Sequence, residues 1–182
     1  MARIIILNGV GSVGKSSIAR ALQDITNEPY LHVAMDAFLD MLPAAYWDHP
    51  DGFTFEPMVE NGRTAMAIKT GSVAERALRG MRRAVAALAG AGNNLIVDDV
   101  MLGPTWDDYK TLIAGFDVSL VGVFAPLAVL EERERQRKDR LIGLARWQYD
   151  RVHQGMAYDL EIDASAATPA ACAGKIKDAF GL

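Results

Sequence analysis

Apolar residues recur along this chain in two alternating rhythms. Ile4-Ile5-Ile6-Leu7 is an unbroken apolar run that ends at Asn8-Gly9, the pattern of a short strand buried on both faces. Ile18, Leu22 and Ile25 then fall at i, i+4 and i+7, one face of a helix. Leu31 to Met35 is a second strand candidate, followed by a short helix from Ala37 to Leu42. Val73, Ala77, Met81, Val85 and Leu88 mark a long amphipathic helix closed by Gly90 and Gly92. Asn94 to Asp98 and Asp117 to Phe124 read as further strands, with a helix from Trp106 to Ile113 between them. A helix that becomes highly charged follows, then a last strand from Tyr158 to Ile162 and a last helix from Ala170 to Phe180.

Strands separated by helices predict a parallel sheet covered on both sides, a three-layer α/β fold. The exception is the stretch from Ala44 to Lys69, where Tyr46, Trp47, Phe53 and Phe55 lie among Asp, His, Pro and Gly. Phe53–Met58 and Arg63–Ile68 can pair as a hairpin about Asn61-Gly62, a favoured two-residue turn. An insertion at this point reads either as a lid or substrate wall or as an ordinary loop over a small apolar cluster. The 182 residues make one domain, 51% apolar and 23% charged, which excludes a largely disordered chain. With 19 Lys and Arg against 23 Asp and Glu the net charge is −4, so no general electrostatic case exists for nucleic acid or an anionic membrane. One cysteine, Cys172, excludes an internal disulfide, and the three histidines (His32, His49, His153) show no metal-ligand spacing and read as surface or core residues. No signal peptide opens the chain, and the apolar stretch Val118–Leu130 is broken by Pro126 and falls short of the roughly 20 residues that span a bilayer. A soluble cytoplasmic protein is expected.

The strongest chemical signal is Gly9-Val10-Gly11-Ser12-Val13-Gly14-Lys15-Ser16, which fits G-x-x-x-x-G-K-[ST] between a buried strand and an amphipathic helix. Glycines let the backbone curl so that successive N–H groups point inward at phosphate oxygens, and the helix adds its positive N-terminal end. Lys15 can reach β- and γ-phosphates, and the Ser16 hydroxyl is placed to ligate Mg²⁺. These eight residues and the following Ser17 are the candidate nucleotide-binding residues.

Three further features fit phosphoryl transfer. Leu95-Ile96-Val97-Asp98-Asp99 ends a buried strand in two acids that must face opposite ways. Asp98 is favoured for the metal and Asp99 for the acceptor side, the alternative being a carboxylate that caps the next loop. The run Glu131 to Arg140 reads as a solvated helix with the pairs Glu131–Arg135 and Glu134–Lys138. It also places Arg133, Arg137 and Arg140 on one face, where three like charges call for an anion such as a nucleotide triphosphate, so residues 131–146 form a candidate lid. Asp36 follows the second strand at the rim where open parallel sheets bind ligands. It is the candidate general base for an acceptor hydroxyl, compatible with a second reading as a helix cap, and Asp40 is a weaker candidate one turn on.

Taken in order, these residues resemble the chloramphenicol phosphotransferase family of small P-loop kinases. The resemblance rests on Ile5-Ile6-Leu7-Asn8-Gly9 into Gly14-Lys15-Ser16, Met35-Asp36, Ile96-Val97-Asp98-Asp99-Val100 with Leu102-Gly103, Val121-Gly122-Val123, Glu132-Arg133-Glu134, Asp139-Arg140, Val152-His153, and Tyr158-Asp159 leading to Glu161-Ile162-Asp163. It implies a five-stranded parallel sheet, an arginine-bearing lid, and ATP-dependent phosphorylation of a primary hydroxyl with Asp36 as base, chloramphenicol being the acceptor of the namesake members. The chain departs most from the family pattern between Ala44 and Lys69, where an acceptor pocket would be built. A metabolic kinase for a nucleotide, a sugar acid or shikimate is the competing enzyme. Such anionic acceptors need basic residues, and Ala44–Met58 has no Lys or Arg, although Arg63, Lys69 and Arg76 lie nearby. A nucleotide-binding regulatory module without transfer chemistry would keep Lys15 and Ser16 but have no need of Asp36.

Overall fold

A computed structural model describes residues 1–137 and 141–182. In chain order its strands are β1 (Arg3–Asn8), β2 (Tyr30–Ala34), β3 (Phe53–Glu60), β4 (Arg63–Thr70), β5 (Asn94–Asp99), β6 (Asp117–Phe124) and β7 (Leu160–Asp163). The helices are α1 (Lys15–Ile25), α2 (Met35–Leu39), α3 (Ser72–Gly90), α4 (Thr105–Ile113), α5 (Leu127–Gln136), α6 (Leu144–Tyr149) and α7 (Pro169–Phe180). Five strands form one wholly parallel sheet in the order β2-β5-β1-β6-β7.

Strand alternation splits the apolar side chains between two cores. Ile4 and Ile6 of β1, with Leu95 and Val97 of β5, pack against Met81 and Val85 of α3 and Tyr109 of α4. Ile5, Leu7 and Ile96 face the other way, onto Ile18 and Leu22 of α1, Leu130 of α5 and Ile176 of α7. The continuous apolar runs of the central strands follow from this two-sided burial.

The insertion is a hairpin. β3 and β4 pair antiparallel through eight residues each, longer than the sequence pattern indicated. Asn61 (φ 50°) and Gly62 (φ 74°) make the turn, both in the left-handed region that matches the twist of a two-residue hairpin. At its base Gly71 N–H donates to Gly52 O at 2.7 Å and Val73 N–H to Asp51 O at 2.8 Å. Midway, Met66 N–H donates to Gly143 O at 3.0 Å, and at the tip Glu60 meets Arg151 at 2.9 Å. The hairpin thus runs from the α2–α3 side of the molecule to the chain just beyond α6.

Two local expectations change. β2 ends at Ala34, so Asp36 lies in the first turn of α2 and not at the strand end, and Ala34 occupies the cap position. The cap alternative for Asp36 is therefore not realised. α5 ends at Gln136, and Arg137 is extended (φ −95°, ψ 122°), so Arg133 and Arg137 do not share one continuous helical face. Arg140 and Lys138 lie outside the described residues. Glu131 pairs with Arg146, and Arg135 with Glu132 at 2.5 Å, so the expected Glu131–Arg135 pair does not form.

Gly143 begins α6 at φ 96°, and a Cβ there would lie 3.1 Å from Met66 N and 3.2 Å from Ala65 Cα. Gly143→Ala is therefore expected to lose about 1–3 kcal/mol of stability, read from urea unfolding. An unchanged midpoint would show that the hairpin contact is not tight.

Candidate active site

The loop from Gly9 to Ser16 joins β1 to α1. Its shape comes from three constraints. A Cβ on Gly9 would lie 2.5 Å from Val123 O, so the first turn of the loop packs against β6 as only glycine allows. Val10 and Val13 turn their side chains into the core, which leaves their carbonyls to the loop. Gly14 takes φ 108° as the N-cap of α1, a conformation that favours glycine. Among the described residues no side chain caps α1 and no acid lies in its first turn, where the positive end of the helix dipole sits.

Lys15 is buried, donating from Nζ to Gly9 O at 2.8 Å and Val10 O at 3.1 Å, with Asp98 Oδ1 3.8 Å away. The Ser16 hydroxyl donates to Asp98 Oδ2 at 2.5 Å. His32 on β2 brings Nε2 within 3.6 Å of the same oxygen. Burial alone would raise the Asp98 carboxyl, but His32, Lys15 and Ser16 outweigh it and hold it below its ordinary range. Asp99 has the opposite fate. It accepts from Tyr109 OH at 2.9 Å and from Val100 N–H at 2.7 Å, and burial raises its carboxyl despite those bonds. The acceptor-side position expected for Asp99 is not observed, because strand alternation turns it toward α4.

A cavity of about 900 Å³ opens above this edge of the sheet. Gly11, Ser12, Gly14, Lys15, Ser16, Ser17 and Asp98 form its floor, with Asp36 on α2. Trp47, Phe55 and Ile68 supply an aromatic and aliphatic wall, in which the Trp47 and Phe55 rings lie parallel within 3° at 6.4 Å. Arg133 and Arg137 also line it. Arg133 is braced, its guanidinium donating to Val13 O at 3.0 Å, Ala164 O at 2.8 Å and Ser165 O at 3.2 Å. It ties the phosphate loop to the chain after β7.

Three polar side chains shape the site without any local sequence signal. Gln148 of α6 accepts from Gly11 N–H at 2.8 Å. Buried Glu134 accepts from Gly143 N–H at 2.7 Å and Ala145 N–H at 2.8 Å, which fixes the start of α6. Fully buried Asn8 donates to Val152 O at 2.9 Å and Tyr158 OH at 2.8 Å and accepts from Met101 N–H at 2.9 Å. Tyr158 in turn meets His153 Nδ1 at 2.6 Å, and the His153 ring stacks on Phe124 at 3.9 Å.

A wholly parallel sheet with a glycine-rich loop between its central strand and the next helix is the architecture of the P-loop kinases. A sugar kinase from Janibacter sp. HTCC2649 superposes with a TM-score of 0.70 at 20% identity, over 100% of this chain and 95% of that one. A gluconokinase from Sinorhizobium meliloti 1021 gives 0.62 at 16% identity over 99% and 91%, and a shikimate kinase from Bacteroides thetaiotaomicron 0.62 at 12% over 100% and 99%. At such identities the likeness is one of fold. The sequence is more specific. The family model of chloramphenicol phosphotransferase-like proteins matches residues 2–181, and the chain belongs to that family. Two Mycobacterium tuberculosis proteins, from strains CDC 1551 and H37Rv and each bearing the name "Putative O-phosphotransferase", are 33% identical over 173 residues, 92% of this chain and 76% of theirs. The family makes this a phosphotransferase, and the fold is the one that the P-loop kinases share. No helix among the described residues is long and apolar enough to cross a membrane.

Burial, then the charge of Lys15, lowers His153 to about 4, so the ring is neutral at physiological pH. The unfolded chain takes up a proton near 6.5 and the folded one does not until about 4. The stability His153 contributes is therefore complete above about pH 6.5 and is lost as the pH falls toward 4. Imidazole NMR should show His153 without a protonation step between pH 5 and 8, and a midpoint near 6.5 would contradict the burial assigned to it.

Proposed function

We propose that the protein transfers the γ-phosphoryl group of ATP, as its Mg²⁺ complex, to a hydroxyl of a small neutral acceptor, chloramphenicol or a chloramphenicol-like alcohol. The observation that carries this reading is that one cavity joins the phosphate loop, the Asp36 carboxylate and the aromatic wall of the hairpin. The acceptor side is apolar, made of Met35, Leu39, Trp47, Phe55 and Ile68. Arg63, Lys69 and Arg76, which kept an anionic acceptor in view, do not line the cavity, and Lys69 is paired with Glu56 at 2.6 Å on the exposed face of the hairpin.

The donor set fits Mg²⁺. Ser16 and Asp98 bring a hydroxyl and an ionised carboxylate together at the start of α1, both hard oxygen donors. Bound there, Mg²⁺ would neutralise charge on the β- and γ-phosphates.

In this reading the loop N–H groups and α1 hold the phosphates, and Lys15 leaves its two carbonyls for their oxygens. Arg133 and Arg137 border the nucleotide and balance charge on the transferring group, with Arg140 assigned to the nucleotide by sequence alone. Asp36 takes the proton of the acceptor hydroxyl as its oxygen bonds to the γ-phosphorus. The bond from that phosphorus to the bridging oxygen breaks, and its electron pair leaves on ADP. α5, α6 and the hairpin all line the cavity, and closure of these elements over bound substrates would limit attack by water. The whole of residues 1–182 then acts as a single kinase domain, in which 44–69 is the acceptor-side insertion and 131–146 the lid.

³¹P NMR and mass spectrometry of chloramphenicol incubated with protein, ATP and Mg²⁺ test the reading. A phosphorylated product is expected, reduced about 10²–10⁴-fold in rate by Asp36→Asn, with ATP affinity within about twofold of the parent. Full transfer by Asp36→Asn would remove Asp36 as the base. ATP binding without product would discard chloramphenicol and direct the search to other neutral alcohols. Slow ATP turnover insensitive to every alcohol would favour a regulatory module.

A further inference from the structure

Three donors converge on the Asp98 carboxylate, and they are not equivalent. Ser16 Oγ holds Oδ2 at 2.5 Å and Lys15 Nζ lies 3.8 Å from Oδ1. The third, His32 Nε2, is buried, has no hydrogen-bond partner among the described residues, and stops 3.6 Å from Oδ2. His32 comes from β2, which pairs with β5 through His32–Ile96 and Ala34–Asp98, so its backbone is fixed beside the strand that carries the acid. A buried polar atom without a partner costs free energy and calls for an explanation.

We infer that His32 is a positioning residue that fixes the orientation of Asp98 when metal and nucleotide are bound. The inference rests on the reading of Ser16 and Asp98 as the metal-side residues. In that state Ser16 turns lone pairs to the metal and Lys15 turns its ammonium to the phosphates, so both present partners of Asp98 acquire a second task. His32 is the donor that acquires none. A movement of about half an ångström brings Nε2 into ordinary hydrogen-bond length of Oδ2. There it stops the carboxylate from rotating about its last bond, much as partners outside the coordination shell orient metal-binding carboxylates. The role needs only a proton on Nε2, which both the cationic ring and one neutral tautomer carry, so it does not depend on a titration. It also explains why a polar side chain occupies a strand whose two buried residues, Tyr30 and Val33, belong to the apolar cores on the two faces of the sheet.

Calorimetric titration with ATP, in the presence and absence of Mg²⁺, tests the inference on the full chain and on His32→Leu and His32→Gln. In the parent, Mg²⁺ should raise ATP affinity. His32→Leu should bind metal-free ATP within about twofold of the parent and lose about tenfold of the Mg²⁺-dependent gain. His32→Gln, whose amide nitrogen reaches about as far as Nε2, should keep most of it. Independently of any variant, ¹⁵N NMR of the histidines should show a protonated His32 Nε2 that becomes hydrogen-bonded when ATP and Mg²⁺ are added together. A full Mg²⁺-dependent gain in His32→Leu, an equal loss with and without metal, or a His32 Nε2 without a proton in the loaded protein would each overturn the role. A parent that shows no Mg²⁺-dependent gain would instead bring down the metal-side reading of Ser16 and Asp98, and the inference with it.

Discussion

The mouth of the sheet depends on keeping one carboxylate ionised while hiding it from water. A buried charge is tolerated only when it is paired and hydrogen-bonded. Asp98 meets that condition because three side chains arrive together: Lys15 and Ser16 from the start of α1, and His32 from β2. The dependence is mutual. Lys15 and Ser16 keep these positions because Gly14 takes a left-handed conformation and Gly9 lets the loop pass close to β6. Asp99, one residue on, shows what happens without such help. It faces Tyr109, its carboxyl is pushed up, and it serves to tie β5 to α4. Neighbouring residues of one type thus acquire opposite properties because a strand alternates its faces.

Asn8 extends the same logic below the phosphate loop. Its side chain saturates a backbone N–H after β5, a backbone carbonyl after α6 and the Tyr158 hydroxyl before β7. One amide therefore fixes three loops at the end of β1, where the glycine-rich segment begins. Arg133 does similar work from above, joining Val13 O to the carbonyls of Ala164 and Ser165. In this conformation it is a brace, whereas Arg137 lies past the end of α5 in extended geometry and lines the cavity.

The fold was largely legible because its central strands are buried on both faces and must be apolar throughout. Ile4–Leu7 and Leu95–Val97 announce themselves for that reason. The phosphate loop was legible because backbone curling imposes glycines at fixed spacing, and the hairpin because Asn61-Gly62 suits a two-residue turn. The polar frame was not legible. Asn8 with Met101 and with Val152, Gly11 with Gln148, and His32 with Asp98 are contacts between residues tens of positions or more apart, and no local periodicity encodes them. α6 is six residues long, too short for an apolar period to show, and its position is set by the buried Glu134 rather than by its own pattern. The charged run beyond Glu131 misled in a related way. Spacing on an ideal helix puts Arg133 and Arg137 on one face, but the chain leaves the helix between them.

An isolated two-stranded hairpin is at best marginally stable in water, so β3–β4 owes its order to what holds it. The base is fastened by Gly71 and Val73 to Gly52 and Asp51, the middle by Met66 to Gly143, and the tip by Glu60 to Arg151. The last two attachments belong to the chain that starts from α5, whose Arg133 also braces the phosphate loop. Phe55 and Ile68, the apolar wall of the cavity, therefore take their position partly from the nucleotide side of the molecule. Hairpin wall and phosphate loop are one mechanical unit joined through Gly143, Arg151 and Gln148. A sequence can diverge along 44–69 and alter the shape of the wall, provided it keeps a backbone N–H opposite Gly143 and an acid opposite Arg151.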